Sequence, residues 1–288
     1  MQAGLAGVPV FKLYGEGNDW PTVDLLHCET ISSRSQLYGW EIERHRHSDL
    51  WQLLYVRRGP AELFVEGLHT RVAQPAIQLV PALSVHGFRF HADIEGYVLT
   101  LAAPLVSWLQ QELGVCAPVL QQPHCYPVGR DGHYLDSLFA AIAAEYANPA
   151  PGRDVLLRSL VCALLVWLSR QLPQGDGPAE RPDRGSQHLQ RFGVLLEKHY
   201  REHWAVSRYA HQLGVSTAYL NGVCRRQTGH TALQLLHQRL LLEAKRLLVY
   251  TTLNVNQIAD QLGFTEPAYF IRFFKRLTGQ TPRSLRQS

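Results

Sequence analysis

The chain has 288 residues, enough for two domains, and a hydrophobic share of 46% with 18% charged residues excludes a disordered or low-complexity protein. The net charge of +4 is unevenly divided: residues 187–288 hold 14 Lys/Arg against 5 Asp/Glu, and residues 1–186 hold 14 against 19, so only the C-terminal part suits a polyanion. No basic start followed by an apolar core opens the chain and no apolar run reaches the roughly 18 residues of a membrane span, so the expectation is a cytoplasmic protein with no membrane partner. Cys28, Cys116, Cys125, Cys162 and Cys224 are odd in number, widely spread and free of C-x-x-C pairs. They read as reduced thiols, neither a disulfide framework nor a zinc finger.

Residues 1–20 contain four glycines and no clear periodicity, which predicts an arm with one short strand. From about Leu25 to Tyr97, short runs such as WQLLYV, AELFVEG, AIQLV and GYVLTL alternate with Gly, Pro and Asp. Consecutive antiparallel strands, closing into a small barrel or sandwich, follow from that pattern.

Within it, Gly39 to Gly59 reads GWEIERHRHSDLWQLLYVRRG, and Pro81 to His86 reads PALSVH. These stretches resemble the two cupin motifs, with Gln52 where metal-binding cupins carry Glu and Leu83 in place of a glycine. Strand alternation points His45 and His47 the same way, and His86 from another strand can join them. Three readings stay open: an effector pocket in which the imidazoles donate hydrogen bonds to a small polar ligand, a metal site lacking its carboxylate, and histidines that only satisfy backbone groups. The effector pocket is the expectation, with no metal, no cofactor and no catalytic residue. If the strand restarts at Leu50, then Gln52, Leu54, Val56 and Arg58 share one face, and Arg58 can hold a carboxylate bidentately. The expected effector set is therefore His45, His47, Gln52, Leu54, Val56, Arg58 and His86, with Trp51 and Tyr55 as further candidates to enclose a ring.

After the strands, Pro104 to Leu113 reads as a short helix closed by Gly114, and residues 132–147 as a second. A third, Arg153 to Leu172, is apolar around most of its circumference, so wide burial is expected, either against the barrel or in a helical dimer interface. Gln174 to Ser186, QGDGPAERPDRGS, reads as a flexible linker. The expected division is 1–172 as the sensor domain, 173–186 as the linker and 187–288 as a helical domain.

Gln190 to His199 reads as the entry helix of that last part. Val206 to Thr228 then forms one helix-turn-helix, whose second helix, Ser216 to Thr228, buries Leu220, Val223 and Cys224. It exposes Ala218, Asn221, Gly222 and Arg225, with Arg226 beside them. Asn221 can pair bidentately with adenine, and Arg225 or Arg226 can reach phosphate or guanine. A second helix-turn-helix begins at Asn254, a helix cap, and turns at Gly263. Thr265 is the expected cap of its second helix, with Phe270, Phe274 and Leu277 packing inward; Pro267, Ala268, Ile271, Arg272 and Lys275 form the outward, DNA-facing set. The motif occurs twice: RRQTGHT at Arg225 to Thr231 and KRLTGQT at Lys275 to Thr281 lie fifty residues apart. Ala232 to Tyr250 joins them as a helix of about 28 Å at ~1.5 Å per residue, close to the ~34 Å between successive major grooves on one face of DNA.

The run A-x-x-x-G-F-x-E-x-x-Y-F-x-R-x-F-K-R-x-x-G-x-T-P, from Ala259 to Pro282, resembles the signature of the AraC/XylS family of bacterial transcription regulators. That resemblance implies an α+β chain of two domains: an N-terminal cupin-like β-barrel with following helices, and a C-terminal all-α domain with two helix-turn-helix motifs joined by a long helix. It further implies double-stranded operator DNA and RNA polymerase as partners, with a homodimer left open. HRHSDLWQLLYVRRG resembles the regulators of aromatic-acid catabolism that respond to 4-hydroxybenzoate, which makes a small aromatic carboxylate the expected effector and an activator the expected role. The rivals are a metal-dependent cupin enzyme fused to a DNA-binding module, and a constitutive DNA-binding protein with no effector.

Overall fold

The computed structural model describes residues 24–47, 49–114, 119–148, 150–171 and 184–287. They form two compact units, within 25–171 and within 184–287. The expected arm at 1–20, linker residues 173–183 and Cys116 lie outside the described residues.

The first unit has two antiparallel sheets. One runs β1 (Leu26–Thr30), β8 (Glu95–Ala102), β3 (Leu50–Arg58), β6 (Ala76–Val80), β9 (His124–Pro127); the other runs β2 (Glu41–His45), β7 (His86–Phe90), β4 (Ala61–Val65), β5 (Leu68–Val72). Alternation along β3 divides its side chains between two cores. Leu54 and Val56 join Ile42, Leu63, Phe88, Phe90 and Val98 between the sheets. Leu53 and Tyr55 face the other way, into a core shared with α2 (Ala103–Leu113), α3 (Gly132–Ala147) and α4 (Arg153–Gln171). Each fully buried Leu or Phe contributes roughly 1.5–3 kcal/mol relative to exposure. The five-residue α1 (Ile31–Ser35), capped by Thr30, presses Ile31 against the inner core.

Burial of α4 is narrower than its composition suggests. Leu157, Val161, Leu164, Leu165, Trp167 and Leu168 are buried, whereas Val155 and Leu156 are exposed. Arg153 clasps α4 to α3: its Nε donates to the Glu145 carbonyl at 3.0 Å and its Nη2 to that of Tyr146 at 2.9 Å.

The second unit consists of α5 (Arg184–His199), α6 (Val206–Leu213), α7 (Thr217–Thr228), α8 (Ala232–Tyr250), α9 (Val255–Gln261), α10 (Pro267–Thr278) and α11 (Pro282–Gln287). The entry helix therefore starts inside the stretch expected to be linker, at Arg184. Its last turn places Glu197 against Arg239 of α8, at 2.8 Å, and Arg239 also meets Glu243 at 3.0 Å. The Arg239 guanidinium lies 4.1 Å over the Tyr200 ring. Burial alone would lower the affinity of Arg239 for its proton, but the carboxylates of Glu197 and Glu243 raise it, so Arg239 is charged; burial pushes the Glu197 carboxyl up, whereas the Glu243 carboxyl is held below the ordinary carboxylate value by Arg239.

Candidate functional site

The sequence repeat is realised bond for bond. Gly229 and Gly279 end α7 and α10 at φ +76°. Thr228 Oγ1 donates to the Cys224 carbonyl at 2.8 Å, and Thr278 Oγ1 to that of Phe274 at 2.9 Å. Thr231 and Thr281 then cap α8 and α11. Asn254 and Gln257 exchange side-chain to backbone bonds as a capping box on α9. Gly263, at φ +79°, is required twice over: a side chain there would collide with the Arg201 carbonyl, against which the second turn is docked.

Ala218, Arg225 and Arg226 of α7, and Ala268, Ile271, Arg272 and Lys275 of α10, are exposed as expected. Tyr219, Tyr269 and Arg276 share that exposure and were missed. Five expectations are corrected. Asn221 is half-buried and its Oδ1 accepts the Ala232 N–H at 3.1 Å, which removes it from bidentate pairing with adenine. The cap residue of α10 is Glu266, without a side-chain bond, because Pro267 occupies the first helical position; the proline is half-buried and starts the helix. Leu277 is exposed, and Phe273 takes the inward place. Gly222, expected on the exposed face, is half-buried and lies under Arg226, whose Nη1 would be 3.3 Å from a Cβ at that position.

In the barrel, His45 on β2 pairs in register with His86 on β7, and His47 follows β2. All three are 1–2% exposed. Ring centroids are 4.2 Å apart for His45–His86, 4.8 Å for His45–His47 and 5.1 Å for His47–His86. The second histidine-bearing loop is tied to the first by Leu83, whose N–H donates to the His47 carbonyl at 2.8 Å. Leu83 holds φ +70°, where a non-glycine residue carries about 1–2 kcal/mol of strain.

The tautomers follow from the partners. His45 Nδ1 donates to the Glu43 carbonyl at 2.8 Å and His86 Nδ1 to the Ser84 carbonyl at 2.9 Å. Carbonyl oxygens only accept, so each ring carries its proton on Nδ1 and a lone pair on Nε2. Burial, then the neighbouring His47, pushes the pKa of His45 down to about 3; burial and the two neighbouring histidines hold His86 well below the ordinary histidine value. Both are neutral acceptors, which corrects the expectation that they donate to a small polar ligand.

Gln52 is buried with its Oε1 lacking a hydrogen-bond partner, opposite Thr100, whose Oγ1 is likewise unsatisfied. Together with Gln78 they make a polar layer inside the barrel that composition alone did not disclose. Leu54 and Val56 face inward as expected. Arg58 does not: the register shifts between Val56 and Arg58, and the guanidinium lies outside, 3.5 Å from Glu95. Trp51 and Tyr55 point to the helices, where the Trp51 Nε1 donates to the Leu120 carbonyl and the Tyr55 hydroxyl to Asp136. The inner cavity beside His45 and Gln52, walled by Ile31, Ile42, Phe88 and Phe90, has a volume of about 30 Å³. A larger, open cleft of about 410 Å³ lies at Arg57 and Arg58, where Glu95 and Asp136 neutralise both guanidinium groups.

A two-sheet barrel with a polar centre and a separate helical unit with two helix-turn-helix motifs define a regulator with a ligand-binding module and a DNA-binding module. Residues 31–165 match the AraC-like ligand binding domain and residues 209–288 match the helix-turn-helix domain. Both units thus match the AraC family of transcription regulators, whose members are not enzymes. It is 26% identical to the HTH-type transcriptional regulator ExsA of Pseudomonas aeruginosa, over 82% of this chain and 77% of that one. It is 27% identical to the HTH-type transcriptional activator RhaS of Pectobacterium atrosepticum, over 70% of this chain and 66% of that one. Among solved structures, ToxT from Vibrio cholerae aligns over 91% of this chain and 97% of its own, with a TM-score of 0.40 and 12% identity. Among the described residues no helix is long and apolar enough to cross a membrane.

Proposed function

We propose that the protein is a cytoplasmic activator that reads two successive major grooves of operator DNA with α7 and α10 and recruits RNA polymerase when a small aromatic carboxylate occupies the barrel. The observation that carries this reading is the doubled, identically bonded helix-turn-helix on one chain with a barrel whose centre is polar. A monohydroxybenzoate is the first choice of effector for an aromatic-acid catabolic gene, from the resemblance of HRHSDLWQLLYVRRG.

The chemistry assigns each end of such a molecule. Its phenolic hydroxyl donates to an imidazole Nε2, its carboxylate accepts from the Gln52 amide, and Leu54, Val56, Phe88 and Phe90 enclose the ring. The 30 Å³ cavity is too small for this: an engineered cavity of about 150 Å³ is what admits benzene. The effector therefore binds a more open barrel and shifts the population toward it; an affinity difference of about 100-fold supplies roughly 2.7 kcal/mol. A homodimer through α3 and α4 belongs to the same reading, supported by the exposed Val155 and Leu156.

Calorimetry of the full chain with 4-hydroxybenzoate tests the effector assignment. One site per chain is expected, weaker for unsubstituted benzoate, with altered affinity for promoter DNA. Absence of heat and of any thermal shift with all three monohydroxybenzoates would remove the aromatic-acid assignment while leaving the DNA-binding reading intact.

A further inference from the structure

We infer that His45, His47 and His86 together bind one divalent transition-metal ion inside the barrel. One ring nitrogen from each lies within 4.8 Å of the other two, and all three rings are buried. At metal–nitrogen distances of about 2.0–2.1 Å, ligand nitrogens sit roughly 3.4 Å apart, so small ring rotations close the site.

The surroundings favour ligation over mere packing. The Nδ1–H groups of His45 and His86 are held by the Glu43 and Ser84 carbonyls, an arrangement that orients a ligating histidine and leaves its Nε2 lone pair for the ion. Nε2 of His86 is buried with no hydrogen-bond partner, an uncompensated desolvation in a purely structural histidine. The frame is fixed by the β2–β7 register and by the Leu83 to His47 bond, kept despite the left-handed backbone at Leu83.

The donor set also specifies the ion. Three imidazoles and no carboxylate suit zinc, iron, nickel or copper rather than magnesium or calcium. Neutral ligands leave the full dipositive charge on the ion, and three protein donors leave coordination positions open. With the ion bound, an exogenous carboxylate or phenolate would complete them in place of the phenol-to-Nε2 hydrogen bond of the metal-free pocket, with the Gln52 amide still available as a donor. Metal binding itself does not depend on the effector reading.

The test uses full-length protein stripped with chelator and titrated with cobalt(II) or zinc. We expect one ion per chain, visible absorption bands from cobalt, and at least about 100-fold weaker binding in His86→Ala and His47→Ala. His91→Ala, an exposed histidine paired with Asp93, should bind as the parent does. Because a variant can fail to fold, X-ray absorption on the cobalt-loaded parent provides a second reading, with three imidazoles expected in the first shell. Stoichiometric binding unaffected by His86→Ala, a first shell without imidazole, or no binding beyond that of surface histidines would overturn the inference. If metal does not bind but 4-hydroxybenzoate does, this inference fails and the effector reading stands; the converse result separates them the other way.

Discussion

The side-chain oxygen of Asn221 accepts the backbone N–H of Ala232 at 3.1 Å, tying the middle of α7 to the first residue of α8. The first N–H groups of a helix have no partner within it, so this bond satisfies one of them and holds α7 to the start of α8. Asn221→Ala should cost about 0.5–2 kcal/mol in denaturant unfolding and weaken operator and random DNA by the same factor. Unchanged stability with a loss confined to operator DNA would return Asn221 to base reading.

The buried ion cluster makes a larger demand on stability. Arg239→Ala leaves Glu197 and Glu243 without their main counter-charge and should destabilise the helical unit by about 3–5 kcal/mol. Arg239→Met combined with Glu197→Gln should recover part of that loss, because it removes charge from both sides. Equal unfolding midpoints for parent and Arg239→Ala in urea would show that the cluster contributes nothing.

Gly263→Ala introduces a Cβ against the Arg201 carbonyl at a backbone conformation that alanine disfavours. The expected loss exceeds about 2 kcal/mol, and DNA binding should fall because the second turn can no longer seat. Gly214→Ala, at φ +70° but with no atom within 4 Å of the added carbon, should cost only the backbone strain of about 1–2 kcal/mol. A thermal melt of the two variants decides the order.

Arg272→Ala should cost about 1–3 kcal/mol on operator DNA and relax preference at one or two base pairs, while Lys275→Ala should weaken all sequences nearly equally and lower the salt slope by about one. Competition binding at several salt concentrations distinguishes them. Equal losses of specific and random binding in Arg272→Ala would reassign it to phosphate.

Burial pushes the Cys28 thiol up to about 12 and the Cys224 thiol up to about 11. At pH 8 both are almost wholly protonated and enclosed, so a thiolate-selective disulfide reagent should leave them unmodified until the chain unfolds. Rapid labelling of either in native protein at pH 8 would contradict their placement.

Much of the helical unit was legible because its rules are local. Asn254, Gly263 and the repeated Thr-Gly pair fix caps and turns within a few residues, and the span Ala232–Tyr250 is the helix the apolar spacing predicts. The inward face of Gln52, Leu54 and Val56 was equally readable from strand alternation. Arg58 was not, since a register shift two residues earlier leaves no mark in composition. Asn221 and Arg239 escaped for a different reason: their partners, Ala232 and Glu197, are 11 and 42 residues away, and no periodicity links them. The direction of the imidazole protons was beyond reach too, because it is set by carbonyl groups whose positions only the fold supplies.

Selection of duplexes from a random-sequence library by the full-length chain tests the central claim, that one polypeptide reads DNA through two recognition helices. The enriched sequences should contain two conserved blocks with centres about 10–10.5 base pairs apart, the more distant pair of groove contacts being lost when Arg272 and Lys275 are replaced together. Enrichment of a single block that survives those replacements, or no enrichment over random DNA, would contradict it.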